Sequence, residues 1–168
     1  MNACAAQAPL RDAVTAYVAL GANLGMALQT VQQAFDSLAR LPVTQVLAKS
    51  KLYRTAPFEA SGPDFINAVA KISTGLTAPD LLAALQAIEN QAGRQRPYAN
   101  APRTLDLDLL IYGQSRMSSP RLTLPHPRWR ERAFVVYPLA DVSHYLVGAA
   151  EWARVAGQAI EALPETRP

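Results

Sequence analysis

The sequence predicts an α+β domain with a ferredoxin-like βαββαβ core: an antiparallel sheet with both helices on one face and the active site on the other, plus C-terminal additions. Three observations predict it. Apolar residues recur at helical spacing in two stretches, 27–41 and 78–92. Four other stretches, 16–20, 43–55, 65–74 and 105–112, are short apolar runs or alternate with the period of a strand. Their order along the chain is strand, helix, strand, strand, helix, strand, which is the split βαβ arrangement. Such a chain buries its two helices side by side on one sheet face.

The elements follow in order. Residues 1–14, rich in Ala and Gln, read as a flexible tail, and 15–168 as a single domain. Ala16 to Leu20 reads as a buried strand, broken by the turn residues Gly21 to Gly25. The helix over 27–41 carries Leu28, Val31, Phe35 and Leu38 on one face, and Pro42 stops it. Val43 to Thr55 is rich in β-branched and aromatic residues and reads as one strand. Residues 56–64, with two prolines and a glycine, form a loop. The strand over 65–74 turns Ile66, Ala68, Ala70 and Ile72 to one face and Phe65, Asn67, Val69 and Lys71 to the other. Thr77-Ala78-Pro79-Asp80 opens a helix with a cap hydroxyl, an early proline and an acid in the first turn. Leu81, Leu82, Leu85 and Ile88 form its apolar side, and Gly93 ends it. A loop over 94–102 leads to the last strand, which Gly113 closes. Beyond it lie Thr123 to Pro127, an apolar segment 134–139 and a helix near 150–163, all expected to flank or cover the sheet.

Composition narrows the function classes. Half of the 168 residues are hydrophobic and 17% are charged, as in an ordinary globular domain. A formal charge of +3 does not imply nucleic-acid binding. No apolar stretch approaches a membrane span, and residues 1–15 lack the pattern of a signal peptide. Cys4 is the only cysteine, so a disulfide framework within one chain is excluded and a reducing compartment, the cytoplasm, is expected. Charge is unevenly spread: Arg94, Arg96, Arg103, Arg116, Arg121, Arg128, Arg130 and Arg132 make up half of the 16 basic residues. Arginine suits bidentate recognition of phosphate. Arg116, Arg128 and Arg130 read as solvated surface.

Asp106 and Asp108 alternate with Leu105, Leu107 and Leu109, which places both carboxylates on one strand face and the leucines against the helices. Aspartate is disfavoured in strands, and two neighbouring carboxylates repel unless one is protonated or a cation lies between them. A hard cation such as Mg²⁺ resolves that repulsion. The plainer reading is the solvated face of an edge strand. Gln86 and Glu89 lie three apart on the polar side of their helix, away from Leu81, Leu85 and Ile88, either simply exposed or reaching a ligand. His126, between two prolines, is either a structural hydrogen-bonder or part of a site. His144, Trp129 and Trp152 read as structural. There is no P-loop motif, no dinucleotide fingerprint, no nucleophile triad and no zinc ligand set.

Five motifs occur in order: Gly21-Ala22-Asn23-Leu24-Gly25, Tyr53-Arg54-Thr55, Phe65-Ile66-Asn67-Ala68, Pro102-Arg103-Thr104-Leu105-Asp106-Leu107-Asp108-Leu109-Leu110 and Leu124-Pro125-His126-Pro127. Together they closely resemble the 6-hydroxymethyl-7,8-dihydropterin pyrophosphokinase family of folate biosynthesis, over about residues 17–139. The resemblance implies transfer of pyrophosphate from ATP to the hydroxymethyl oxygen of the pterin, with release of AMP. It implies two Mg²⁺ ions held by Asp106 and Asp108, with Arg94 and Arg96 sharing in catalysis. It places nucleotide contacts on Gln86, Glu89, Arg94, Arg96, Arg103, Arg121, Thr123, His126 and Arg132. Pterin contacts fall on Thr55, Ala56, Phe58, Asn67 and Phe134. The partners it implies are the small molecules ATP and the pterin, with no nucleic acid and no membrane, for a monomer.

The sequence also departs from the family pattern. Asn100 and Ala101 stand where many members carry Trp-Gly, so that contact is absent or supplied by Tyr98. Phe65 stands where a tyrosine often contacts the pterin, and Pro127 replaces an aromatic neighbour of the histidine. The segment 94–103, basic and proline-containing, is expected to close over bound substrates. Two other classes fit the fold: a non-catalytic ferredoxin-like ligand- or RNA-binding domain, which has no need of both carboxylates, and another Mg²⁺-dependent nucleotidyl or phosphoryl transferase.

Overall fold

The chain was analysed as a computed structural model that describes residues 11–57, 59, 61–93 and 104–165. The core runs β1 (Val14–Ala22), α1 (Ala27–Ala39), β2 (Thr44–Lys49), β3 (Tyr53–Thr55), β4 (Phe65–Thr74), α2 (Ala78–Gln91) and β5 (Asp106–Tyr112). The strands pair antiparallel in the order β5-β1-β4-β3, with β2 on the other half of β4. This is the expected α+β, ferredoxin-like sheet. β1 begins at Val14, the last residue of the expected tail.

The predicted strand over 43–55 is two strands. β2 covers residues 70–74 of β4 and β3 covers 65–67, and between them the ladder is carried by one side chain. Ser50 N–H donates to the Val69 carbonyl (3.0 Å), while Val69 N–H donates to Ser50 Oγ (2.8 Å). A hydroxyl oxygen thus accepts the N–H that a straight strand would bond through its backbone. The hydroxyl itself donates to the Lys51 carbonyl (2.7 Å).

One sheet face packs on the helices. Val18, Leu20, Ala68, Ala70, Ile72, Leu107 and Leu109 meet Val31, Phe35, Leu38, Leu81, Leu85 and Ile88 there. Each large apolar side chain so buried stabilises the fold by about 1.5–3 kcal/mol. In α1 the buried set is Val31, Ala34, Phe35 and Leu38, while Leu28, expected in the core, is 37% exposed. Positions 31, 34, 35 and 38 already complete an i, i+3, i+4, i+7 face, so the first turn has no place in it. α2 begins as expected: Asp80 N–H donates to the Thr77 side chain (3.2 Å), and Thr77 Oγ1 donates to the Asp80 carboxylate (2.6 Å).

The C-terminal additions comprise β6 (Met117–Ser118), β7 (Thr123–Leu124), α3 (Ala133–Val142), α4 (Ala149–Val155) and β8 (Glu161–Ala162). The helix expected over 150–163 ends early, just ahead of Gly157, which disfavours a helix interior. The chain then joins the sheet: β8 pairs with β3, and Leu163 N–H donates to the Leu52 carbonyl (2.8 Å). α3 covers part of the second sheet face, where Val135, Val136, Leu139 and Trp129 pack on Tyr17, Val69 and Leu110.

A bulge in β5 sets two successive residues, Leu110 and Ile111, toward that face. Tyr17 lies opposite Ile111 and Val18 opposite Leu109, so Leu110 is the extra residue in β5. Leu109 points to the helices, Leu110 and Ile111 to the α3 side, and Tyr112 back to the helices. Ser50→Ala leaves the fully buried Val69 N–H without its acceptor. It should cost about 1–3 kcal/mol in urea denaturation with an unchanged m-value; an unaltered midpoint would show that the hydroxyl does not carry the ladder.

Candidate active site

The strand register builds the floor of the site. Gly21 of β1 lies opposite Asp106 of β5 on one side and opposite Asn67 of β4 on the other, and Asn67 lies opposite Tyr53 of β3. Directly paired residues point to the same face, so Asp106, Gly21, Asn67 and Tyr53 form one row across four strands. Asp108, Ala19 and Val69 form the next row. The face is the one turned away from α1 and α2, as expected. α3 covers Val69 and Tyr17, so the open floor is the end holding Asp106, Gly21 and Asn67. Both aspartates are half-buried.

Two side chains of the row are held by neighbours. Asn67 Nδ2 donates to Thr55 Oγ1 (2.9 Å), and both residues are buried. The two expected pterin contacts are therefore one hydrogen-bonded unit. Tyr53 O–H donates to Asp141 Oδ2 (2.8 Å), and the same oxygen accepts from Lys51 N–H (3.1 Å). Burial, with the Asp141 carboxylate beside it, raises the Tyr53 phenol above its usual range. The sequence reading missed this anchor from α3 to the sheet floor.

Glu89 is a correction. It was expected on the polar side of α2, yet it is 2% exposed, and its Oε1 accepts from Leu107 N–H (2.9 Å). β5 is an edge strand, so this outward N–H has no strand partner. A carboxylate from the helix covers it, between the two aspartates. Gln86 stays exposed on α2, as expected.

His126 reaches the site through the bulge. Its N–H donates to the carbonyl of Leu110, the extra residue of β5 (2.8 Å). Arg128 N–H donates to His126 Nδ1 (3.2 Å), so the proton of the neutral ring sits on Nε2. Burial lowers the imidazole pKa, Arg132 and Arg128 lower it further, and Asp106 opposes them. Arg132 is half-buried; burial and Arg128 lower its pKa, while Asp108, Asp106 and Glu59 act in the opposite sense. Its Nε is buried without a hydrogen-bond partner among the described residues. Its guanidinium lies 5.6 Å from the ring centre of Phe134, at the start of α3. Asp106, Asp108, His126, Arg132 and Phe134 are thus brought together at one end of the sheet.

The other expected contacts divide. Thr123, Arg121 and Ala56 are exposed. Arg94, Arg96, Arg103, Phe58, and with them the expected closing segment 94–103, lie outside the described residues. Arg128 and Arg130 are exposed, as expected of surface residues, and pair with Glu59 (3.3 Å) and Glu151 (2.7 Å). The Glu59 pair ties the 56–64 loop to the segment that carries His126.

The arrangement suits a hard divalent cation. Two carboxylates at i and i+2 of one strand offer anionic oxygens, and Mg²⁺ is commonly held by one or two carboxylates, with phosphate and water completing its shell. Among the described residues, no group of three His, Cys, Asp or Glu side chains forms an all-protein cage. Arg132, with a buried N–H lacking a partner, adds a cation beside the pair.

Comparison with known proteins places these residues in context. Residues 17–144 match the family model described as 7,8-dihydro-6-hydroxymethylpterin-pyrophosphokinase (HPPK). The chain is 48% identical over 128 residues to the 2-amino-4-hydroxy-6-hydroxymethyldihydropteridine pyrophosphokinase of Pseudomonas aeruginosa, covering 76% of this chain and 79% of that protein. It is 41% identical over 135 residues to the protein of the same name in Haemophilus influenzae, covering 80% and 84%. Among solved structures, Plasmodium falciparum HPPK-DHPS with pteroate aligns with a TM-score of 0.60 at 11% identity, over 80% of this chain and 40% of that one, a likeness of fold.

The His126 environment gives a pH test. Its pKa is lowered in the fold, so the fold favours the neutral ring. The stability this contributes is present above the unfolded value of about 6.5 and is lost as pH falls below it toward the folded value. His126→Asn keeps an acceptor for Arg128 N–H and removes the titration. Urea denaturation between pH 7.5 and 5.5 should show wild type losing more stability than the variant; parallel losses would contradict this assignment.

Proposed function

The chain belongs to the 7,8-dihydro-6-hydroxymethylpterin-pyrophosphokinase family, and on that premise we propose how its site works. The enzyme transfers pyrophosphate from ATP to 6-hydroxymethyl-7,8-dihydropterin in folate biosynthesis, giving AMP and the pterin diphosphate. The hydroxymethyl oxygen forms a bond to the β-phosphorus, and the bond from that phosphorus to the oxygen retained by AMP breaks. The hydroxyl proton leaves in the same process. Catalysis of this kind rests on positioning and on charge complementarity more than on covalent chemistry.

The row Asp106, Gly21, Asn67 carries the reading, because it sets a carboxylate and an amide on one floor with a glycine between them. Asn67 and Thr55 bind the polar edge of the pterin, which needs donors and acceptors in fixed places. Phe134 stacks on its ring, and Ala56 and Phe58 complete the set of pterin contacts. Asp106 and Asp108 hold Mg²⁺, two ions in our reading, which supplies charge neutralisation at the triphosphate. Arg132 and the Nε2–H of neutral His126 bind phosphate oxygens from the far side of the aspartates. His126 contributes a donor without a second cation. Gln86, Arg121 and Thr123 contact the nucleotide, Arg94, Arg96 and Arg103 bind its phosphates, and Arg94 and Arg96 share in catalysis. Glu89, assigned to the nucleotide by resemblance, serves as the brace of β5 between the two aspartates. The single cysteine supports a reducing compartment, which we take to be the cytoplasm, and we take the enzyme to act as a monomer. No described helix is long and apolar enough to cross a membrane.

Incubation with ATP, Mg²⁺ and the dihydropterin should yield AMP and the pterin diphosphate. ADP in place of AMP would point instead to another phosphoryl transferase on this fold. Asp106→Ala and Asp108→Ala should each lower turnover by about 10²-fold or more while leaving the apo melting temperature unchanged or slightly higher. Turnover within about two-fold of wild type for either variant would remove the metal assignment.

A further inference from the structure

Gly21 stands one residue from the end of β1, still paired to a strand on each side, where glycine is unfavourable because it adds backbone entropy to the unfolded chain and packs nothing. Two ordinary reasons for a glycine are absent here. Its φ is not in the left-handed region, so no special backbone conformation requires it. Nor does the folded backbone crowd it: among the described residues, the only atom within 4 Å of an added Cβ is a side-chain atom, Asn67 Oδ1 at 3.4 Å, where tight contact gives way to ordinary contact. The two nearest β1 side chains on this face differ in this respect. Tyr17 is buried under α3, and Ala19 packs against the same cluster. Gly21 lies past the end of that cover and is only half-buried.

The reason left is an occupant of the site. Adjacent strands run about 4.8 Å apart, so Gly21 spans the gap of about 10 Å between the Asp106 and Asn67 backbones. The Asn67 amide is turned so that Nδ2 meets Thr55 and Oδ1 faces Gly21. A methyl at Gly21 would stand beside that acceptor, on the path from Asn67 to Asp106.

We propose that Gly21 is a specificity-determining residue of the pterin site. The heterocycle held at Asn67 lies flat over the bare Gly21 backbone, and this close approach lets its hydroxymethyl arm reach the Asp106 side. The proposal rests on the site reading given above and adds to it the floor over which the flat ring passes. It selects a thin, planar substrate, because any thickness added from below competes for the same space.

Gly21→Ala tests it, since the fold itself tolerates the methyl. Relative to wild type, the variant should have an equal or higher melting temperature, because alanine narrows the unfolded ensemble. Pterin binding measured by calorimetry in the presence of Mg²⁺ and a non-hydrolysable ATP analogue should weaken by about ten-fold or more, with the analogue itself bound within about two-fold of wild type. Gly21→Ser should behave alike in pterin binding. Pterin affinity within about two-fold of wild type in the alanine variant would overturn the proposal. So would an equal weakening of both ligands or a lowered melting temperature, since either marks a structural glycine. A wild-type protein that binds the ATP analogue but no pterin would overturn the site reading itself, a result separable from failure of the Gly21 variants alone.

Discussion

The double pairing of β1 is the constraint on which the site depends. One strand makes ladder hydrogen bonds on both sides, and its register places Gly21 opposite Asp106 and Asn67 at once. A slip of one residue on either side would turn every side chain of the partner strand to the other face. It would drive the aspartates into the helix core or Asn67 beneath the sheet. Burial of Leu107, Leu109, Ala68 and Ala70 against α1 and α2 opposes both slips. The hydrophobic core therefore fixes the polar site, although the two share no side chains.

The bulge at Leu110 converts this one-sided arrangement into a two-sided one. With strict alternation continued, Leu110 would still face away from the helices, but Tyr112 would follow it there. The extra residue restores Tyr112 to the helix side, where its hydroxyl donates to the Leu76 carbonyl (2.6 Å). It also leaves the Leu110 carbonyl to accept His126 N–H. One insertion in β5 thus tethers α2 to the strand's end and brings the imidazole toward the carboxylates at its start. The brace from Glu89 to Leu107 N–H acts on the same strand nearer its start.

Much of this was legible in the sequence, for physical reasons that can be named. Period-2 alternation over 65–74 placed Asn67 on the correct face, and the alternating Asp-Leu run placed both carboxylates there. Thr77 announced the start of α2 through cap chemistry that acts within three residues. What escaped depends on distant partners. The break at Ser50 shows only once Val69 lies beside it. Glu89 reads as a surface residue of an amphipathic helix until β5 is seen to offer an unpaired N–H at the sheet edge. The helix over 150–163 was overextended, since the pull of β8 toward β3 is a tertiary pairing. Gly21 was taken as a turn signal, yet it is paired strand. Arg94, Arg96, Arg103 and Phe58 fall outside the described residues.

The charges at the end of the sheet are ordered by that same backbone. Asp106 and Asp108 present negative charge, Arg132 presents positive charge from the start of α3, and His126 sits between them with its ring neutral. A charged imidazole there would add a second buried cation beside Arg132, which the lowered pKa of each opposes. The Arg128 N–H bond to Nδ1 settles which nitrogen keeps the proton, so the ring presents Nε2–H as a fixed donor. On the proposed reading, a triphosphate entering between the arginine and the carboxylates would bring negative charge to the first and a need for cations to the second. Mg²⁺ and substrate would then satisfy each other's electrostatics there, held from the positions that the sheet and α3 already give the aspartates and Arg132.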